Sequence, residues 1–255
     1  MKSNLKLAIS GTYSTGKSTT TEALSIATGI PRTHAMTSRE ILIDLIPGKT
    51  VMELNGMELI KLMMRRFEER VHNEAGEGPF ISDGGVFHEW VYLEARMRIG
   101  INPGAPAWFQ AVKKVAGVPV KHFYKSYADV LGDVTRRRAR GLYDAYVHLP
   151  VEFDMHADGH RPVSEPFRRL SDDLLIDTVS KMGKPFHVIG GSVEERLERI
   201  IDLFDMPVAV PIDQAIAQAE KNVAAATKIL EDDARFHDAQ RTKSFTRQLS
   251  YALRY

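Results

Sequence analysis

A phosphate-binding loop is the strongest chemical signal in this sequence. Residues 11–18 read Gly-Thr-Tyr-Ser-Thr-Gly-Lys-Ser and complete the pattern G-x-x-x-x-G-K-S. The stretch before the loop, Leu5 to Ser10, has the apolar character of a short buried strand, and Lys17 to Thr28 has helical spacing. A loop between a strand and a helix is the setting in which this pattern binds phosphate.

The residue types of this loop suit a nucleoside triphosphate. Glycine lets the backbone curl closely around a phosphate, so that N–H groups and the helix N-terminus face its negative charge. Lys17 is expected to reach the β- and γ-phosphates and Ser18 to bind Mg²⁺, while Thr19 assists or caps the helix. The predicted nucleotide-binding residues of the loop and helix are Gly11, Thr12, Ser14, Thr15, Gly16, Lys17, Ser18 and Thr19.

Asp83 is the second candidate, because it follows a short predicted strand, Pro79 to Ser82. The carboxyl ends of parallel strands line the ligand site of an α/β sheet. A carboxylate there can hold Mg²⁺, accept a proton or contact the substrate, and these roles stay open. The alternative is a structural acid that forms a turn with Gly84 and Gly85 or caps the helix from Val86.

The polar segment from Asp154 to Arg169 holds a second group of charged residues. Its arginines fit a lid that brings planar guanidinium groups to a transferred phosphoryl group. Arg161 is therefore a candidate catalytic residue, and Arg168 a candidate substrate contact. The segment also nearly fits a calcium loop, but the preceding strand signal and Pro162 argue against an EF-hand. Zinc binding is disfavoured, since histidines on a polar loop are more often solvated.

Candidate contacts to a phosphate acceptor come from two helical stretches. Arg39 lies on a predicted helix over Thr37 to Ile46, and Glu89 lies on another over Val86 to Ile99. Solvated positions on a helix face are the alternative for both. The aromatic residues after Asp83 are expected either to wall the acceptor pocket or to belong to the core: Trp90, Tyr92, Trp108 and Phe109.

Strand and helix signals alternate along the rest of the chain. Strands are predicted at Tyr143 to Leu149 and Phe186 to Ile189, and each is followed by a helix, Glu165 to Met182 and Val193 to Phe204. This alternation predicts an α/β fold with a mainly parallel sheet flanked by helices.

A composition shift at Pro207 to Pro211 separates a last segment, in which apolar residues recur at steps of three and four from Ile212 to Leu230. We expect residues 1–206 to form a P-loop kinase-like domain with a lid at about 151–169, and residues 207–255 to form a C-terminal helical extension. The apolar stripe of the extension is expected to pack on its own domain or, alternatively, to form a homodimer or protein-partner seam.

Composition excludes several other chemistries. The 255 residues include no cysteine, so disulfides, thiolate nucleophiles and cysteine metal sites are absent. The 34 Lys and Arg nearly balance the 33 Asp and Glu, and this net charge of +1 argues against general nucleic-acid binding. No run of 18 apolar residues predicts a membrane span, and the N-terminal apolar stretch is too short for a signal peptide, so a cytoplasmic location is expected.

The P-loop and Asp83, together with three later segments, resemble the AAA-type P-loop family that includes the nicotinamide-riboside-kinase domain of bacterial NAD regulators. The three segments are 143–150, 158–162 and 190–196. The resemblance covers roughly Leu5 to Phe204. It implies a kinase fold with a five-stranded parallel core, an arginine-bearing lid around Arg161, and an adenine-side loop that makes Arg196 a nucleotide contact.

The sequence also departs from that family's pattern. Its members commonly carry an acidic residue three positions before the arginine that matches Arg39, and Met36 stands there in this chain. An H-x-G-H adenylyltransferase signature is absent. The acceptor therefore need not be a nicotinamide riboside.

These features together predict a kinase that uses ATP and Mg²⁺ to phosphorylate a hydroxyl of a small nucleoside-like or natural-product acceptor. Two alternatives are a nucleotide-hydrolysing regulatory ATPase or switch with a protein partner, and a nucleotide-dependent binding module. A binding module would keep Lys17 but tolerate loss of Asp83. The arginines of the predicted lid favour the kinase.

Overall fold

A five-stranded parallel sheet forms the centre of the computed structural model, which describes residues 4–49, 51–99, 118–153 and 165–240. The strand order is β2-β3-β1-β4-β5, and every neighbouring pair is parallel. The strands are β1 (Lys6–Ser10), β2 (Arg32–Thr33), β3 (Phe80–Asp83), β4 (Ala145–His148) and β5 (Phe186–Val188). The carboxyl ends of β1, β3 and β4 therefore lie side by side.

Eight α-helices flank the sheet in the described ranges. Three of them begin with a capping box, in which the N-cap side chain and a glutamate three residues later satisfy each other's backbone N–H groups. The helices are α1 (Lys17–Thr28), α2 (Ser38–Leu45), α3 (Gly56–Asn73), α4 (His88–Ile99), α5 (Val118–Leu142), α6 (Glu165–Ser180), α7 (Val193–Leu203) and α8 (Ile212–Gln240).

The alternation of side chains along β1 builds one core on each face of the sheet. Leu7 and Ile9 face the core formed with α1, α7 and α8, whereas Ala8 faces the core formed with α4, α5 and α6. A third apolar cluster joins α2, α3, α4 and α5 beside the sheet. The two faces fix the direction of β1, and hence the place where the P-loop leaves the sheet.

The α/β P-loop fold predicted from the sequence is confirmed. Helix α1 has the predicted bounds, and the other predicted helices and strands that lie within the described residues end within a few residues of those observed. Strand β2 gave no sequence signal of its own, because it has only two residues. Most of the predicted lid and the residues 100–117 fall outside the described residues.

The first part of α8 packs on its own chain. Ala215 and Ala219 are fully buried in the core that α8 shares with α1 and α7, and the Asn222 side chain donates to Glu22 of α1 at 2.8 Å. The described side chains from residue 224 to residue 229 are exposed. The domain boundary at residue 207 stays a prediction.

None of the helices in the described ranges combines the length and hydropathy needed to cross a bilayer.

This packing predicts that Ala219→Leu destabilises the protein, because added methyl groups would have to fit a filled space between α8 and α1. We expect a loss of about 1–3 kcal/mol in the free energy of unfolding, measured by urea titration. The matched control is Ala225→Leu, at an exposed position of α8, which should change it by less than about 0.5 kcal/mol. Equal effects of the two variants would contradict the docking of α8 on α1.

Candidate nucleotide and acceptor site

The loop between β1 and α1 favours glycine at two points. Gly16 is left-handed, with φ of 75°, and forms the N-cap of α1. A Cβ atom at Gly11 would lie 3.0 Å from the carbonyl oxygen of Leu149 and 2.9 Å from Oγ1 of Thr15. Ser14 also has a positive φ of 55°. The P-loop motif thus folds as a tight turn that opens into a helix N-terminus.

Asp83, at the end of β3, is the charge centre of the site. Its carboxylate accepts from Lys17 Nζ at 2.8 Å and from Arg32 Nη2 at 2.5 Å, and 7% of its side chain is exposed. Burial by itself would raise the pKa of Asp83, but the two cations outweigh it and hold this pKa well below its ordinary value. Lys17 and Asp83, both predicted from the sequence, are therefore brought into direct contact.

Arg32, on β2, is a residue of this site that sequence analysis missed. Besides Asp83, it donates from Nε to Thr21 Oγ1 at 3.0 Å and from Nη1 to Glu22 Oε2 at 2.9 Å. Its position follows from the pairing of β2 with β3, which sets Thr33 beside Ser82. A two-residue strand carries no periodicity, so nothing in the sequence marked this arginine.

The backbone that follows Asp83 is fixed by a buried network. Arg70 Nη1 donates to the carbonyl oxygen of Asp83 at 3.2 Å, and the Tyr143 hydroxyl donates to Glu74 Oε2 at 2.6 Å. The same hydroxyl accepts from the N–H of Val86 at 3.0 Å. Burial and the adjacent Glu74 raise the pKa of Tyr143 well above its ordinary value, so the phenol keeps its proton. This network holds the turn between β3 and α4.

His88, at the start of α4, is a second buried residue that the sequence did not single out. Its Nδ1 accepts from the N–H of Gly85 at 2.9 Å, and its Nε2 has no hydrogen-bond partner among the described residues. Burial, with the charges of Lys17 and Arg70, holds the pKa of His88 well below its ordinary value. The imidazole is therefore neutral at physiological pH.

Glu89 is buried, with 3% of its surface exposed, and so is not on a solvated helix face. Arg66 Nε donates to Glu89 Oε2 at 2.8 Å, while Arg66 Nη1 donates to the carbonyl oxygen of Met36 at 2.6 Å. Burial lowers the pKa of Arg66, but Glu89 and, further, Tyr13 and Tyr92 raise it above its ordinary value. Glu89 Oε1 is buried without a hydrogen-bond partner among the described residues.

Tyr13 and Tyr92, the two tyrosines that act on the pKa of Arg66, belong to a group of three stacked rings. Tyr13 of the P-loop stacks on Tyr92 with centroids 4.9 Å apart and an interplanar angle of 12°, and both rings stack on Phe167. Tyr92, predicted as wall or core, thus packs directly against the P-loop. Trp90 instead packs between the two neighbouring apolar clusters, and Trp108 and Phe109 lie outside the described residues.

Arg168 and Arg196 are both fully buried against the P-loop. Arg168 Nε donates to the carbonyl oxygen of Tyr13 at 3.1 Å, and Arg196 Nη1 donates to the carbonyl oxygen of Thr15 at 2.6 Å. Their contacts in the structure are thus with backbone oxygens and nearby acids. Direct contact of Arg168 with substrate, and of Arg196 with nucleotide, stays a prediction.

Ser18, Arg39 and Arg161 are the remaining residues predicted from the sequence to belong to the site. Ser18 is exposed on the first turn of α1, next to Lys17, and Arg39 is half-buried on the first turn of α2. Arg161 lies outside the described residues. The exposed Ser18 hydroxyl and the Asp83 carboxylate are oxygen donors of the kind that Mg²⁺ prefers. The described part of the chain has no cluster of three or more metal-binding side chains.

Comparison with known proteins agrees with this geometry. The family profile described as an AAA domain matches residues 6–196. A similar solved structure is the deoxyadenosine kinase of M. mycoides with bound dATP, 14% identical, with a TM-score of 0.54 over 79% of this chain and 100% of that chain. The same enzyme with the products dCMP and a flexible dCDP is 16% identical, with a TM-score of 0.51 over 79% and 99%. A search of curated proteins found no match.

The fold and the site define a P-loop NTPase with the fold of a nucleoside kinase. The match to residues 6–196 covers most of the chain, and the protein belongs to this AAA domain family.

The depressed pKa of Asp83 predicts a specific loss of stability in acid. The folded protein keeps Asp83 ionised at pH values where the unfolded carboxyl, with a pKa of about 3.9, takes up a proton. The stabilisation is therefore fully present above about pH 5 and is lost as the pH falls. We expect the difference in unfolding free energy between wild type and Asp83→Asn to shrink from pH 5 to pH 3.

Asp173→Asn is the control for this measurement, because Asp173 is exposed on α6. The difference in unfolding free energy between Asp173→Asn and wild type should stay small and should not change with pH over the same range. A difference for Asp83→Asn that does not change with pH would mean that Lys17 and Arg32 do not hold the carboxylate ionised.

Proposed function

We propose that the protein is a kinase that transfers the γ-phosphoryl group of ATP, with Mg²⁺, to a hydroxyl of a small nucleoside-like or natural-product acceptor. The hydroxyl oxygen forms the new bond to phosphorus, the bond to the β-phosphate oxygen breaks, and the hydroxyl proton is released. The observation that carries the proposal is the position of Glu89. It is a buried carboxylate with one oxygen that has no hydrogen-bond partner among the described residues, and its ion-pair partner Arg66 interacts electrostatically with Tyr13 of the P-loop.

Lys17 is expected to exchange partners when nucleotide binds. In the structure its ammonium group contacts Asp83, and a triphosphate in the loop would offer it the β- and γ-oxygens instead. Arg32 would then remain on Asp83, since its other donors are held by Thr21 and Glu22. The carboxylate would keep one cationic partner throughout.

This arrangement favours Asp83 as a metal organiser rather than a general base. An efficient general base has a pKa near the working pH, whereas Lys17 and Arg32 lower the pKa of Asp83 in the structure, and Arg32 would continue to lower it after Lys17 moves to the nucleotide. A permanently ionised carboxylate is well suited to hold Mg²⁺ or its water, together with the Ser18 hydroxyl. Bound Mg²⁺ would neutralise charge on the β- and γ-phosphates.

Glu89 is the proposed acceptor contact. A buried carboxylate oxygen without a donor is costly, and an acceptor hydroxyl would supply the missing hydrogen bond. Arg66 holds the other oxygen and so fixes the direction of the carboxylate. Arg39 remains a candidate for a further contact, and Arg161 remains the candidate for stabilising charge on the transferred group.

We expect the enzyme to act in the cytoplasm, without membrane or nucleic-acid partners.

The first test is ADP formation from Mg²⁺-ATP with and without a panel of nucleosides, sugars and aminocyclitols. Acceptor-dependent ADP formation is expected, and Lys17→Ala should abolish it, because the cation at the transferred group is lost. Lys61→Ala, an exposed lysine on α3, is the control and should keep full turnover. ADP formation that is independent of every acceptor would favour a regulatory ATPase or switch, and unchanged turnover in Lys17→Ala would refute the P-loop assignment.

The second test separates the acceptor from ATP. With an acceptor from that panel, Glu89→Gln should raise the acceptor KM by about tenfold or more, because the acceptor hydroxyl loses a charged hydrogen-bond partner. The ATP KM should stay within about twofold, because glutamine can still accept from Arg66. Glu68→Gln, at an exposed position of α3, should alter neither constant. An equal rise of both KM values would instead indicate that loss of the Arg66 ion pair distorts the whole site.

A further inference from the structure

The P-loop has two sides, and the side away from the phosphate needs hydrogen-bond donors. When the N–H groups of such a loop converge on an anion, its carbonyl groups turn outward. A buried carbonyl group without a donor costs free energy, so each needs a partner. In this protein the donors come from two arginines of distant elements, Arg168 on α6 and Arg196 on α7, which we call the arginine clamp.

Arg168 binds the first half of the loop. Besides the carbonyl oxygen of Tyr13, its donors reach the carbonyl oxygens of Ser14 at 3.5 Å and Phe153 at 2.6 Å. The carboxylate of Glu165 accepts from its Nη1 at 3.1 Å. Ser14 has the positive φ that non-glycine residues rarely adopt, so this half of the loop needs outside support.

Arg196 binds the second half. In addition to the carbonyl oxygen of Thr15, it donates from Nη2 to Glu152 Oε2 at 2.8 Å, and Glu152 Oε2 also accepts from the N–H of Gly191 at 2.9 Å. The guanidinium carbon lies 5.2 Å from the centre of the Phe153 ring. A Cβ atom at Gly16 would lie 3.2 Å from Nη1, so the arginine approaches the loop as closely as a glycine allows.

Arginine suits this position better than lysine. Its planar group presents five N–H donors in fixed directions, which can serve several carbonyl oxygens at once, whereas an ammonium group is a point charge on a flexible stem. Both guanidinium groups are out of contact with water. Each is also paired with a carboxylate, Glu165 for Arg168 and Glu152 for Arg196, so what it offers the loop is directed hydrogen bonds rather than net charge.

We propose that Arg168 and Arg196 are positioning residues that hold the P-loop in its phosphate-binding conformation before nucleotide arrives. They act on the phosphate through the loop backbone, not by touching the transferred group. The proposal rests on the proposed use of this loop for a nucleoside triphosphate. It assigns to both arginines a role different from the ligand contacts expected from the sequence.

The two roles make different predictions about nucleotides. A clamp that shapes the cradle of the β-phosphate affects ADP and ATP alike, and its loss loosens the loop even without ligand. An arginine that contacts the transferred group affects ATP more than ADP, or lowers kcat alone, and leaves the ligand-free loop unchanged.

The test uses Arg168→Lys and Arg196→Lys in the full chain. Hydrogen–deuterium exchange of the ligand-free protein, followed by mass spectrometry, should be faster than wild type in the segment 11–18. The Kd values for ADP and for ATP should both rise by about tenfold or more, by similar factors. Arg169→Lys and Arg199→Lys are matched controls, at exposed positions next to the clamp on α6 and α7, and should match wild type.

Glu152→Ala keeps the test decisive if the lysine variants do not fold. Glu152 is partly exposed, with 37% of its side chain accessible, and its removal leaves Arg196 in place but without its orienting acid. We expect this variant to show faster exchange in the segment 11–18 and higher Kd values for ADP and ATP, both to a smaller extent than the lysine variants. Unchanged exchange in 11–18, or a Kd effect on ATP without one on ADP, would overturn the proposal. If wild type binds neither nucleotide, the proposed function fails, while the exchange measurement still decides whether the clamp holds the loop.

Discussion

The site depends on one buried carboxylate, Asp83, which binds basic residues from two other parts of the fold. Asp83 at the end of β3 binds Lys17, which follows the loop after β1, and Arg32 on β2. A buried carboxylate without either cation would strongly destabilise the fold. The positions of β3, α1 and β2 relative to one another are therefore coupled through Asp83, Lys17 and Arg32. Arg32 extends the same chain of contacts to Glu22 on α1, which Asn222 of α8 also contacts. The C-terminal helix is thus connected to the charge centre by hydrogen bonds.

Buried polar groups need hydrogen-bond partners, and this requirement also explains the contacts on the other side of the P-loop. Arg168 and Arg196 donate to the carbonyl oxygens of Tyr13, Ser14 and Thr15, which face away from the proposed phosphate position. Glycine at position 16 leaves the space for the close approach of Arg196, and glycine at position 11 leaves space for Thr15 and for the carbonyl oxygen of Leu149. Cations therefore lie on both sides of one loop: Lys17 on the phosphate side and the two arginines on the other.

Local features of the site could be predicted from the sequence, and features made by distant contacts could not. The P-loop and α1 are encoded in one continuous stretch, so their residues and bounds followed from spacing alone. Arg32 was missed because its role depends on the pairing of a two-residue strand with β3. Glu89 was recognised as a candidate, but its burial depends on Arg66, 23 positions earlier on a different helix. Arg196 was selected through a family resemblance, and its partner Thr15, 181 positions away, appears only in the folded chain.

The two carboxylates of the site differ in surroundings, and the roles that we propose for them rest on this difference. Asp83 has both oxygens bound to cations in the structure, and Arg32 is expected to remain on it when Lys17 turns to the nucleotide, so the carboxylate stays charged. Glu89 has a single cation on one oxygen and no described donor on the other, so it retains one directed acceptor position. Two carboxyl groups held in unlike environments can divide a reaction between them, as unlike pairs do in other enzymes. Phosphoryl transfer needs mainly charge balance at the phosphates and correct placement of the attacking hydroxyl. Asp83 suits the first requirement and Glu89 the second.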